Sequence, residues 1–81
     1  MPSLKVLSGK DVVRVLASFN FNQVAQKGSH VKLLRLTSDG TRQTLTIPNH
    51  PELDRGTLKA IYRQASRYVP ASDLRDHFYT D

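Results

Sequence analysis

Between Ser8 and Asn20 the chain reads SGKDVVRVLASFN, with apolar Val12, Leu16 and Phe19 at i, i+4 and i+7. That spacing sets the three side chains on one stripe of a helix, and Ser8 with Asp11 three positions on is a suitable start, so an amphipathic helix is predicted over 8–20. From Phe21 the rhythm shortens into FNQVAQKG, HVKLLRLT and QTLTIP, each run bounded by Gly, Ser, Asp or Pro. These predict three strands. Gly28-Ser29 marks the first hairpin turn. Ser38-Asp39-Gly40-Thr41 marks the second, where Asp-Gly suits the positive φ angles of a tight turn and an antiparallel pairing.

After Pro48-Asn49-His50-Pro51, Asp54 is placed to cap a second helix over 55–68, with Leu58, Ile61, Ala65 and Tyr68 as its buried stripe. Arg55, Lys59, Arg63 and Arg67 repeat every four residues and lie roughly opposite that stripe, forming a basic ladder. Pro70 ends the helix, and Ser72 is expected to cap a last short helical turn holding Leu74 and Phe78. Helix, three strands, helix and a short helical tail predict an α+β fold, with an antiparallel three-stranded sheet carrying both helices on one face. The other sheet face would then stand open.

The chain has 81 residues, so residues 1–81 are read as one domain. No apolar run reaches the roughly 18 residues of a membrane span and the start, MPSLKVLSGKD, lacks a signal peptide's apolar centre, so a cytoplasmic protein without a membrane partner is expected. Cysteine is absent, which removes disulfides and thiolate metal sites. Residues 1–67 carry a net charge of +7 and residues 68–81 a net −2. A basic body attracts a polyanion, which makes nucleic acid the first partner class to consider, although charge alone does not separate RNA, DNA and an acidic protein.

With no Gly-rich phosphate loop and no paired carboxylates on one predicted face, histidine is the remaining chemistry: His30, His50 and His77. No cofactor and no metal site are expected. His30 opens the second strand directly after Gly28-Ser29, with Lys27 and Lys32 within three residues. RNA carries its own nucleophile in the 2′-OH, so its cleavage needs only an acid or base and cations that stabilise the phosphorane. Lys27, Lys32 and Arg35 are candidates to hold the phosphate. Ser29 could add a hydroxyl contact, and the backbone around Gly28 a close approach. On these grounds alone the non-catalytic readings lead: His30 as an exposed strand residue, His50 as a structural loop residue, and His77 as a solvated residue beside Asp76. Tyr62 is read either as a base-stacking ring or as partial core. Lys59 and Arg63 on the ladder are secondary candidates, as a docking surface for RNA or an acidic partner, or as a solvated face.

Four groups of residues carry a family resemblance: Ser8-Gly9-Lys10-Asp11; Lys27-Gly28-Ser29-His30; Thr46-Ile47-Pro48 with His50; and Leu53, Gly56-Thr57-Leu58, Ile61 and Arg63-Gln64-Ala65. In these the chain resembles the HicA toxins, messenger-RNA interferases of bacterial toxin–antitoxin pairs. The resemblance implies a fold like a double-stranded-RNA-binding domain, αβββα. It implies endoribonuclease activity on mRNA without a metal, with His30 as the catalytic residue. It also implies a HicB-type antitoxin that covers the active face in a hetero-oligomeric complex. The rival reading from residues alone is a non-catalytic module that docks on double-stranded RNA.

Overall fold

The computed structural model describes residues 2–80. Its elements are β1 (Ser3–Leu4), α1 (Gly9–Ala17), β2 (Asn22–Lys27), β3 (His30–Leu36), β4 (Arg42–Pro48), α2 (Arg55–Ala65), α3 (Ala71–Phe78) and β5 (Tyr79–Thr80). β2, β3 and β4 form an antiparallel sheet in sequence order. The fold is α+β, the αβββα arrangement of double-stranded-RNA-binding domains with additions at both ends.

Strand alternation sorts the sheet's two faces. Val31 and Leu33 on β3 pair with Ile47 and Leu45 on β4, and all four are buried. They join Val12 and Leu16 of α1 and Leu58, Ile61 and Ala65 of α2 in one core, so both helices cover the same sheet face. Each residue of β2 is exposed, the apolar Val24 included.

Caps set the helix starts. At α1 the Ser8 hydroxyl accepts from the Asp11 N–H while the Asp11 carboxylate accepts from the Ser8 N–H, a reciprocal capping box. Asp54 accepts from the Thr57 N–H at α2. Both helices stop earlier than their periodicity predicts. α1 ends at Ala17 because Asn20 turns to φ 72, and the Phe21 N–H returns to the Leu16 carbonyl. α2 ends at Ala65, so Tyr68 is only half-buried and Val69 takes the core position beyond it.

Two further expectations are corrected. At the second hairpin only Gly40 has positive φ, +84, and its N–H bonds to the Thr37 carbonyl; Asp39 stays at negative φ and instead accepts from the Thr41 N–H and the Thr37 hydroxyl. Ser72 does not cap the last helix: Pro70 precedes α3 and no side chain caps it. α3 is two turns long and buries Leu74 and Phe78.

The two-residue strands β1 and β5 pair antiparallel, joining the chain's two ends. Leu4 is buried there, the Lys5 N–H bonds to the Phe78 carbonyl, and the Leu53 N–H bonds to the Leu7 carbonyl. This clasp holds α3 against α2, where the Tyr62 ring meets Phe78 and Tyr79 edge-on, each at 5.3 Å.

Candidate active site

The site is built on the β2–β3 hairpin. Its loop is two residues, Gly28-Ser29, and Gly28 takes φ +58 while Ser29 does not, the pattern of a type II′ turn with glycine first. A Cβ at Gly28 would meet nothing within 4 Å, so the glycine is required by its backbone angle, and its flank lies open to an incoming group. The Gln26 amide donates to the Gly28 carbonyl at 3.1 Å, and the Asn49 N–H donates to the Ser29 carbonyl. The turn is therefore fastened on both sides.

That fastening sets His30. Lys27 and His30 are direct cross-strand partners, so their side chains leave the sheet on the same face, with Cβ atoms about 5 Å apart. Lys32, two residues along β3, returns to that face and pairs with Ala25 on one side and Thr46 on the other. His30, Lys27 and Lys32 are all exposed. The face opposite the helices thus presents an imidazole between two ammonium groups, with the Gly28-Ser29 turn at its end. Spacings of this size let both cations reach one phosphate beside His30.

Arg35 belongs elsewhere, which corrects its expected place at the phosphate. It alternates with His30 and Lys32 onto the helix-covered face of β3, opposite Gln43. Its Nε donates to Gln43 Oε1 at 2.8 Å, Nη1 to the Phe19 carbonyl at 3.1 Å, and Nη2 to the Tyr68 carbonyl at 2.6 Å. The guanidinium lies 4.8 Å above the Phe21 ring. It is a structural clamp.

His50 is exposed, two residues beyond the Pro48 that pairs with His30, and borders a recess with Ser8, Lys10, Asn49 and Pro51. Its carbonyl accepts from the Gly9 N–H at 2.9 Å. Lys59 and Arg63 are exposed on α2, in the layer behind the sheet, and are not brought together with His30. Tyr62 is partial core and His77 stacks edge-on against Phe19 at 5.7 Å. Among the described residues no group of three His or carboxylate side chains gathers as a metal site, and no helix is long and apolar enough to cross a membrane.

Gly9 is the residue whose role the sequence did not disclose. A Cβ there would lie 2.1 Å from the Pro48 carbonyl oxygen and 2.9 Å from the Asn49 Cα. Glycine lets the start of α1 pack directly on the end of β4, next to the Asn49 N–H that holds the Ser29 turn. Its signal is a glycine in the first turn of a helix, where propensity disfavours it.

Residues 9–66 match the family model described as the HicA toxin of bacterial toxin–antitoxin systems. Neither a curated protein nor a solved structure matches the chain. The match runs from α1 to the turn after α2 and contains the hairpin, His30 and both of its lysines, leaving β1, α3 and β5 outside. Over most of its length, then, this chain belongs to the HicA toxin family of bacterial toxin–antitoxin systems.

Proposed function

We propose that this protein is a metal-independent endoribonuclease that cleaves mRNA in the cytoplasm, with His30 as its catalytic acid or base, restrained by a HicB-type antitoxin in a hetero-oligomeric complex. The observation that carries the reading is the cross-strand pairing of Lys27 with His30, with Lys32 next on the same open face.

The chemistry follows from those three side chains and the substrate. The RNA 2′-oxygen attacks the adjacent phosphorus, the bond from phosphorus to the 5′-oxygen breaks, and a 2′,3′-cyclic phosphate and a 5′-hydroxyl result. One proton leaves the 2′-OH and one joins the 5′-oxygen. His30 performs one of these transfers, since an imidazole nitrogen can both take and give a proton, and water serves the other. Lys27 and Lys32 stabilise the charge that builds on the phosphorane oxygens, and the turn's Ser29 hydroxyl and Gly28 backbone would add contacts to the phosphate. An open, flat face suits a polymer better than a small molecule. The same exposure calls for a protein that covers it when cleavage is unwanted.

Analysis of product ends tests this reading. RNA treated with the free protein should yield 2′,3′-cyclic phosphate and 5′-hydroxyl ends, and a 2′-deoxy strand of the same sequence should stay intact. Intact RNA retained on the protein would instead support a non-catalytic binding module.

A further inference from the structure

Helix α2 carries a second basic feature that the His30 face does not use. Arg55, Lys59 and Arg63 are exposed at four-residue spacing, and Arg67 continues the row in the turn after the helix. Each step of four advances about 6 Å along a helix and turns about 40°, so the cations follow a slowly winding line. Leu58, Ile61 and Ala65 face the core, which leaves this line on the helix's outer side. Among the described residues the one ion pair is Arg14–Asp11, so no carboxylate pairs directly with the row, and Glu52 and Asp54 border only its first rung, Arg55. Like charges four apart oppose the helix that bears them. Among the described residues no ion pair offsets that cost, whereas a polyanion would.

We infer that this ladder is a docking track for the phosphate backbone of RNA, separate from the cleavage face and engaging a stretch of the transcript away from the scissile bond. The inference rests on RNA being the substrate. Two features favour RNA over an acidic protein. The charges are spread evenly along a line, as phosphates are, and three of the four rungs are arginine, whose fork matches phosphate oxygens. The geometry adds a length requirement. His30 and the ladder lie on opposite broad sides of a two-layer domain whose shortest extent is 17 Å. A strand that touches both must pass around an edge, and a short RNA seated at His30 cannot reach the ladder.

The test compares the parent with the triple variant R55Q/K59Q/R63Q, whose changed side chains are all exposed. A melting temperature at or above the parent's confirms its fold, since the change removes like-charge repulsion along the helix. Binding is measured in a His30→Ala background, so that RNA stays intact, over a range of salt. On a long RNA the slope of log affinity against log salt should fall by about 2 for three lost contacts, with binding at low salt weakened about tenfold. In the cleaving background KM for the long RNA should rise about tenfold at constant kcat. Cleavage of an RNA of about five nucleotides, near the low end of single-domain site sizes, should not change. A parental slope on the long RNA overturns the inference, most directly if the triple variant has instead lost affinity for the antitoxin. A reduced slope in a protein that never cleaves RNA would sink the endoribonuclease reading and leave the ladder standing. Ordinary cleavage with a parental slope would do the reverse.

Discussion

Replacing Arg35 by Lys separates two roles that a basic strand residue can have. Lysine keeps the positive charge, so a phosphate-binding role would survive the change largely intact. The structure assigns the side chain a different task. Three guanidinium nitrogens donate to Gln43, to the carbonyl of Phe19 after α1 and to the carbonyl of Tyr68 after α2, and the group covers the Phe21 ring. One ammonium can replace at most one of these bonds with good geometry. Loss of the other two, taken at the low end of about 1.5 kcal/mol each for charged donors at a half-buried site that water can partly reach, removes about 3 kcal/mol. At about 4–8 °C per kcal/mol for a domain of this size, the melting temperature should fall by roughly 15 °C. Thermal unfolding followed by circular dichroism measures the shift, and RNA binding well below the transition should match the parent. An Arg35→Lys protein that melts within a few degrees of the parent would refute the clamp.

Gly9→Ala should destabilise the domain by about 2 kcal/mol, since the obstructing atoms are backbone of Pro48 and Asn49, and should slow cleavage by shifting the loop that holds Ser29. Melting and cleavage rates check both effects, and a stabilised Gly9→Ala protein, as helix propensity alone predicts, would contradict the contact. The Thr37 and Thr41 hydroxyls and the Thr41 N–H hold the Asp39 carboxyl down to about 2. Because its folded pKa is depressed, its stabilising contribution is complete above the ordinary value of 3.8 and is lost as pH falls from there through about 2. Melting curves of parent and Asp39→Asn should therefore differ near neutrality and converge towards pH 2, and a constant gap across that range would be the contrary result.

Much of this architecture is legible from local pattern. Ser8 with Asp11, and Asp54 with Thr57, are caps that act within one turn, so spacing alone locates them. The alternation of Val31 and Leu33 against His30 and Lys32 likewise assigns the open face, because successive strand residues point to opposite sides of a sheet. What escaped depends on distant partners. Ser3-Leu4 is too short to show periodicity and becomes a strand only because Tyr79-Thr80 arrives beside it. Arg35 reads as one more surface cation, and only the fold brings Phe19 and Tyr68 to it. Gly9 looks like a weak helix former until the end of β4 is laid against it. Within the candidate site, the Lys27–His30 pairing follows from a two-residue turn and was readable. The separation of Lys59 and Arg63 from that pair needed the layer order.

The most direct test of the central claim is RNA cleavage by the purified free protein in EDTA beside its His30→Ala variant. His30 is exposed and lies outside the hydrophobic core, so the variant should melt with the parent. The account predicts that the parent cuts RNA in EDTA and that the folded His30→Ala protein does not. Cleavage by His30→Ala at the parental rate would contradict it.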